Sequence, residues 1–223
     1  MNVHVVVPVR DHSYLTRQIL AELDAQDGWT FAHFYDNGSV DNTPEILAEA
    51  GDRDPRILVA DASGVGIYEM WEAGLNASTA AGADRVLFIN NDVTLAPGLV
   101  GLLAAAVGET VWLAYPNYDR PLTEGTADLG TRETFGTYRH GGMSGFCFMA
   151  LAERLDWRPL VDPALRWWGG DDEIAFEVEK RGGRQVRVEG VGIQHDMEGT
   201  ARHHDLEAQK AADLSYITAK WGR

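Results

Sequence analysis

One cysteine, Cys147, is the only thiol in this 223-residue chain. An internal disulfide is therefore excluded, and the composition fits a reducing compartment. Its neighbours Phe146 and Phe148 mark that thiol as buried and structural rather than nucleophilic. Basic residues are scarce as well: 19 Lys and Arg stand against 34 Asp and Glu, a formal net charge of −15. Such a surface disfavours nucleic acid as a partner, because phosphate binding wants positive charge, and equally disfavours adhesion to anionic lipid. Long apolar runs are missing too. The longest candidate, Leu99 to Val107, is Gly/Ala-rich and well short of the ~20 residues of a membrane span. The run Val3 to Val9 is too short for a secretory leader and contains His4 and Pro8. No repeat, linker or low-complexity stretch interrupts the chain. The expectation is a soluble, cytoplasmic protein without an integral membrane segment, folded as one domain over residues 1–223.

What is present is an alternation of strand and helix patterns. Val3 to Val9 is a β-branched run that reads as a buried strand. Ser13 can cap a helix whose Leu15, Ile19 and Leu23 share one face. Phe31 to Tyr35 reads as a second strand, ending at Asp36-Asn37-Gly38-Ser39. Asn-Gly is the usual mark of a hairpin. Here Thr43-Pro44-Glu45 follows, with proline and an acid at a helix start, so the turn feeds a helix. Arg56 to Ala60 is a third strand, followed by Ser63-Gly64-Val65-Gly66 and a helical spacing of Ile67, Met70, Trp71, Gly74, Leu75 and Ser78. Arg85 to Ile89 is the fourth. This order predicts an α/β fold with a mostly parallel, doubly wound sheet and helices on both faces. The second half is less regular. Tyr115 to Gly142 predicts loops or an extended hairpin, and Gly145 to Leu151 is apolar. A helix is expected to start near Asp172, a last strand covers Gln185 to Val191, and a tail helix runs from Asp205 to Trp221. Leu206, Leu214, Ile217 and Trp221 share one side of that tail.

The chemistry-bearing residues sit where the apolar runs stop. Asn90-Asn91-Asp92 closes the run Val86-Leu87-Phe88-Ile89, and open α/β sheets bind ligands at the C-terminal ends of their strands. Asp171-Asp172 and His195 add further oxygen and nitrogen donors. Such a set suits a divalent cation holding a diphosphate, and points to sugar-nucleotide chemistry. Each cluster also has a plainer reading. Asp36-Asn37-Gly38 can be only a tight turn, Asn90-Asn91-Asp92 a helix-capping turn before Ala96-Pro97-Gly98, Asp171-Asp172 an N-cap, and His195 a structural histidine.

In order, Val7-Pro8-Val9, then Asp36 to Thr43, then Asn90-Asn91-Asp92, then Gly169-Gly170-Asp171-Asp172-Glu173, then His195 resemble the motif series of family-2 glycosyltransferases of the GT-A fold, over about residues 3 to 200. The resemblance implies a nucleotide-sugar-binding half over about 1–98, an acceptor and catalytic half over about 99–200, and a helical tail over 203–223. It implies a hexosyltransferase that moves sugar from a nucleoside diphosphate to an acceptor hydroxyl with inversion. A UDP-type donor is favoured, with GDP and dTDP open. Pro8, Val9, Arg10, Asp36, Gly64 and Asn91 would line the donor nucleotide. A carboxylate at 36 can accept the imide N–H of a uracil-like base, which an apolar wall leaves unsatisfied. Asp92 and His195 would ligate Mn²⁺ or Mg²⁺, with His203 and His204 as competing donors. Asp172 would be the general base and Asp171 its support; a carboxylate at a helix start stays ionised near neutral pH.

On the acceptor side the resemblance points to Gly145, in the segment Gly141-Gly142-Met143-Ser144-Gly145, where absent side chains let substrate approach the backbone. Trp167 and Trp168 can stack on a sugar ring or simply pack in the core. Arg132, Arg139 and His140 either balance phosphate charge or are solvated loop residues. Two positions depart from the family pattern. Asn90 replaces an acid, which implies a weaker metal site filled mainly with nucleotide present. Ile174 replaces a second Asp, leaving Glu173 as the substitute acceptor contact.

Other classes compete. A sugar-phosphate nucleotidyltransferase wants a Gly-rich basic loop after the first strand, where Arg10-Asp11-His12 stands. A dinucleotide-dependent oxidoreductase wants a third glycine that Ser63-Gly64-Val65-Gly66 lacks. A catalytically silent nucleotide-sugar or carbohydrate-binding module is kept open by the single acid at positions 90 to 92.

Overall fold

The computed structural model describes residues 1–120, 122, 130–134, 142–196 and 207–222. In chain order the elements are β1 (Val3–Val9), α1 (Ser13–Asp24), β2 (Phe31–Asp36), α2 (Thr43–Arg53), β3 (Ile57–Asp61), α3 (Ile67–Ala80), β4 (Arg85–Ile89), β5 (Val93–Leu95), α4 (Leu99–Ala106), β6 (Val111–Asn117), β7 (Thr131–Thr134), β8 (Cys147–Leu151), α5 (Gly170–Lys180), β9 (Arg184–His195) and α6 (Glu207–Trp221). The strands join in the order β3-β2-β1-β4-β8-β6-β9-β5, with β7 also pairing β9.

The parallel, doubly wound expectation holds from β1 to β4, where β1 pairs in parallel with β2 and β4, and β2 with β3. Beyond β4 the sheet is mixed. β8 runs antiparallel to both β4 and β6, while β6 and β9 are parallel. Among the described residues the stretch between β6 and β8 carries β7, which pairs antiparallel with β9, so this half of the sheet departs from the strand–helix–strand alternation that keeps β1 to β4 parallel.

Side-chain alternation along β1 explains the two cores. Val5 and Val7 face one layer with Ile19, Leu23, Leu47, Leu99 and Leu103, and Val6 faces the other with Trp71, Phe88, Phe148 and Ile174. Each such buried side chain contributes about 1.5–3 kcal/mol of transfer free energy. In the second layer Phe88 and Phe148 stack at 4.8 Å, and Trp71 meets Phe148 edge-on at 5.5 Å. Helix α3 lies so close to β1 that a Cβ on Gly74 would stand 2.6 Å from the Val6 methyls. One polar pair interrupts the sheet interior: His4 Nδ1 and His33 Nε2 lie 3.0 Å apart, both buried.

Some local expectations shift. The N-cap of α1 is His12, and the Ser13 N–H instead donates to Asp41. Helix α5 starts at Gly170, so Asp171, Asp172 and Glu173 all fall in its first turn. The buried residues of α6 are Asp213 and Ile217, with Leu214 half-buried. The thiol of Cys147 is fully buried, and desolvation pushes its pKa up, as expected of a structural cysteine. Among the described residues no helix is long and apolar enough to cross a membrane.

Candidate active site

Register decides what meets what. Val9 is level with Asp36, and Asp36 with Asp61, so the loops leaving β1, β2 and β3 lie side by side. They are laced together. Asp36 Oδ1 accepts the Ser39 N–H at 3.0 Å and the Ser39 hydroxyl at 2.6 Å, and Ser39 Oγ accepts the Asp11 N–H at 2.7 Å. Asn37 bridges to the next loop, accepting the Gly64 N–H at 3.1 Å and donating to the Val65 carbonyl at 3.0 Å. A cavity of about 220 Å³ opens here, lined by Arg10, Asn37, Gly64, Val65, Gly66, Glu69, Arg166 and Trp167. Arg10 and Gly64 line this cavity together, and Asp36 orders the turn beside them. Pro8 and Val9 are buried at the strand end. Arg166, not singled out in the sequence, and Trp167, expected on the acceptor side, both line this cavity.

A second corner forms about β5 and β9. Their antiparallel register sets Val93 opposite His195, and the Asp196 N–H donates to the Asp92 carbonyl at 2.9 Å. Asp92 Oδ1 and His195 Nε2 are consequently 3.1 Å apart, with the Asp92 side chain 5% exposed. Asn91 is half-buried beside them. Two donors bound to one Mg²⁺-like octahedral ion at about 2.1 Å stand about 3 Å apart, so the spacing fits a shared cation. A hard carboxylate with an imidazole also suits Mn²⁺. Without a cation, the Nε2 proton must lie between the two groups, since a bare nitrogen lone pair would face an anion. Among the described residues no group of three or more His, Cys, Asp or Glu gathers to hold a metal. A cation held by Asp92 and His195 would draw its remaining ligands from outside this pair. His203 and His204 lie outside the described residues.

The acidic pair connects to this corner through Phe146 and Gly145. The His195 ring stacks on Phe146 at 4.3 Å, and the Asn90 N–H donates to the Phe146 carbonyl at 2.9 Å. Next along the chain, the Gly145 N–H donates to Asp171 Oδ2 at 2.9 Å. A Cβ on Gly145 would lie 3.0 Å from the Trp71 ring and 3.3 Å from Asp171 Cβ, which is why a glycine stands there. Asp171 and Asp172 are half-buried in the first turn of α5, where the helix dipole favours anions. The Gly170 N–H donates to the Tyr68 hydroxyl at 3.1 Å. Burial, then the charge of Asp171, hold the Tyr68 phenol well above its ordinary pKa, so it remains a protonated donor.

Several expected residues lie elsewhere. Glu173, the substitute acceptor contact, is buried and turned to the tail: its oxygens accept from Lys220 Nζ at 2.6 Å and Trp221 Nε1 at 2.9 Å. Both Glu173 oxygens are thereby committed to α6. Trp168 is half-buried beneath Lys210 of α6. Arg132 is exposed on β7, and Arg139, His140 and Gly141 lie outside the described residues. Tyr68 and Asp213 were not singled out in the sequence, and Phe146 was noted there only as an apolar neighbour of Cys147.

Solved structures share this fold. A GalNAc-T7 complex with UDP, GalNAc and Mn²⁺ aligns with 87% of the chain at TM-score 0.69 and 17% identity, over 44% of its own length. A mannosyltransferase from Pyrobaculum calidifontis with GDP-mannose and Mn²⁺ aligns with 98% of the chain at TM-score 0.69 and 18% identity, over 63% of its length. The fold is GT-A. Glucosyl-3-phosphoglycerate synthase from Mycobacterium tuberculosis, with Mn²⁺, UDP and glucosyl-3-phosphoglycerate, shares it over 99% of this chain and 80% of its own, at TM-score 0.68 and 18% identity. No family model and no curated protein matches the chain. The chain therefore spans less than two thirds of the first two GT-A structures.

Proposed function

We propose that the chain is a divalent-metal-dependent glycosyltransferase that moves a sugar from a nucleoside diphosphate to an acceptor hydroxyl with inversion. One observation carries the reading: the continuous contact path Asp92–His195–Phe146–Gly145–Asp171, which joins a two-donor metal corner to an acidic helix start. The cavity at Arg10, Asn37, Gly64 and Trp167 takes the nucleoside, with Trp167 as one wall and Arg10 and Arg166 offsetting phosphate charge. Asp92 and His195 hold Mn²⁺ or Mg²⁺, which when bound offsets the charge that builds on the departing diphosphate. Asp172 accepts the proton of the acceptor hydroxyl as that oxygen attacks the anomeric carbon. Asp171, held by the Gly145 N–H, fixes the turn that aims Asp172. The solved GT-A structures with UDP or GDP-mannose and Mn²⁺ support both the donor class and the metal.

The first experiment is thermal unfolding with UDP, GDP and dTDP, each with Mn²⁺ or with chelator. A nucleotide at 100 times its Kd adds about 2.7 kcal/mol, a readily measured rise in Tm. The Asp172→Asn variant is expected to keep that shift and lose turnover. Near-normal turnover by Asp172→Asn refutes the base; no shift with any nucleotide refutes the donor site.

A further inference from the structure

Helix α6 meets the rest of the molecule at the segment that leads into the acidic helix start. Asp213, 1% exposed, points its carboxylate into three consecutive backbone N–H groups. Trp167 and Trp168 donate to Oδ2 at 2.9 and 3.0 Å, and Arg166 approaches both oxygens at 3.4 Å. Gln209, one turn earlier on α6, donates to Oδ1 at 2.8 Å and holds the carboxylate in place. Consecutive N–H groups converging on one point form a concavity that binds anions. Here the anion is part of the chain itself. The next residue, Gly169, has φ 84° and sits against α6, where a Cβ would come within 2.7 Å of Ile217. Beyond it come Gly170, Asp171 and Asp172. The same seven residues, 166–172, therefore carry one wall of the nucleoside cavity, Trp167, and the acidic pair.

We propose that Asp213 is a positioning residue for this site: by gathering the N–H groups of Arg166, Trp167 and Trp168 it fixes the 166–172 segment, setting Trp167 at the cavity and the acidic pair at the start of α5. The inference rests on the glycosyltransferase reading for what the segment does, though not for how it is held. Without the carboxylate the three N–H groups have no common acceptor, and the segment relaxes toward conformations in which each finds water. Two other α6 contacts are of a different kind. Tyr216 and Lys220 reach Asp162, several residues earlier, at 2.6 and 2.8 Å, and dock the helix without touching the 166–168 amides.

The test compares Asp213→Ala, Asp213→Asn and Tyr216→Phe in the full chain. Amide hydrogen exchange is read at residues 166–168, binding of UDP and GDP with Mn²⁺ by titration, and kcat and KM by nucleotide release from UDP-glucose and GDP-mannose. Loss of a hydrogen bond to a charged group corresponds to about tenfold or more. Asp213→Ala is expected to speed exchange at 166–168 by about that factor, lower kcat similarly and raise the donor KM. Asp213→Asn keeps one acceptor oxygen and is expected to recover part of each loss. Tyr216→Phe removes a docking bond and is expected to leave local exchange and kinetics at wild-type levels. Unchanged exchange in Asp213→Ala, faster exchange with kcat and KM untouched, or equal losses in Tyr216→Phe each overturn the inference. A wild-type chain that neither binds nor turns over any of these nucleotides overturns the glycosyltransferase reading instead, and exchange at 166–168 then still decides whether Asp213 holds the segment.

Discussion

The buried His4–His33 pair makes stability depend on pH in a direction that can be worked out. Burial, and then the neighbouring His4, lower the His33 pKa from 6.5 to about 4. Burial lowers that of His4 as well. The geometry explains why: one proton lies between His4 Nδ1 and His33 Nε2, and the remaining His4 nitrogen, Nε2, is buried with no hydrogen-bond partner among the described residues. A further proton must enter an apolar interior or set two N–H groups against each other. The folded state therefore binds fewer protons than the unfolded chain. The pair's stability is complete above pH 6.5, the unfolded value, and is lost as pH falls toward the folded value of about 4. Between pH 7 and 4.5 His33 alone accounts for about 2 kcal/mol. Urea unfolding of wild type and of the double variant His4→Leu/His33→Leu at both pH values isolates this share from the other titrating groups. The wild type is expected to lose about 2 kcal/mol more than the variant over that interval. Equal losses in the two proteins refute the argument.

Three further outcomes follow from single contacts. Gly170→Ala drives a Cβ into the Tyr68 ring and is expected to cost about 1–3 kcal/mol in unfolding and to lower turnover, because the first turn of α5 must shift. Asp92→Asn is expected to abolish the Mn²⁺-dependent part of the nucleotide-induced rise in Tm while leaving Tm without ligand near wild type; a retained Mn²⁺ effect places the cation elsewhere. Lys220, then Tyr216 and the Ala164 N–H, hold the Asp162 pKa down to about 2. That contribution is present above the ordinary carboxylate value and lost only as pH falls through about 2, so Asp162→Asn is expected to cost about 1 kcal/mol equally at pH 5 and pH 8. A penalty that varies between those values contradicts the assignment.

The parallel half was legible because its information is local. β-Branched runs, amphipathic spacing and the Thr43-Pro44-Glu45 helix start each act within a few residues, and β1 to β4 formed where they pointed. The antiparallel entry of β8 was not, since periodicity does not encode which edge a strand joins after a long excursion. Within the candidate site, Asp92 and His195 stood out as donors after strands, and the β5–β9 register brought them together. Trp167 and Glu173 were noticed for their chemistry, but their neighbours were not legible, because the residues that meet them arrive from other loops and from α6. Asp213 carried no signal at all. Among Glu207, Gln209 and Lys210 it is one more polar residue on a helix, and its role exists only once three distant N–H groups converge on it.

The β5–β9 pairing also orders the molecule in time. Asp92 and His195 are 103 positions apart in the chain, whereas β1, β2, β3 and β4 are linked by short strand–helix–strand steps. Near-neighbour contacts close small loops and form early; distant ones wait for a larger loss of chain entropy. Refolding should therefore restore helical and parallel-strand signals before the two donors meet, and a ribosome must extend past residue 195 before they can. Until then the loops after β1, β2 and β3 are in place but the two donors are unpaired, so under the proposed function metal-assisted nucleotide capture would report a late long-range closure of the sheet rather than its beginning.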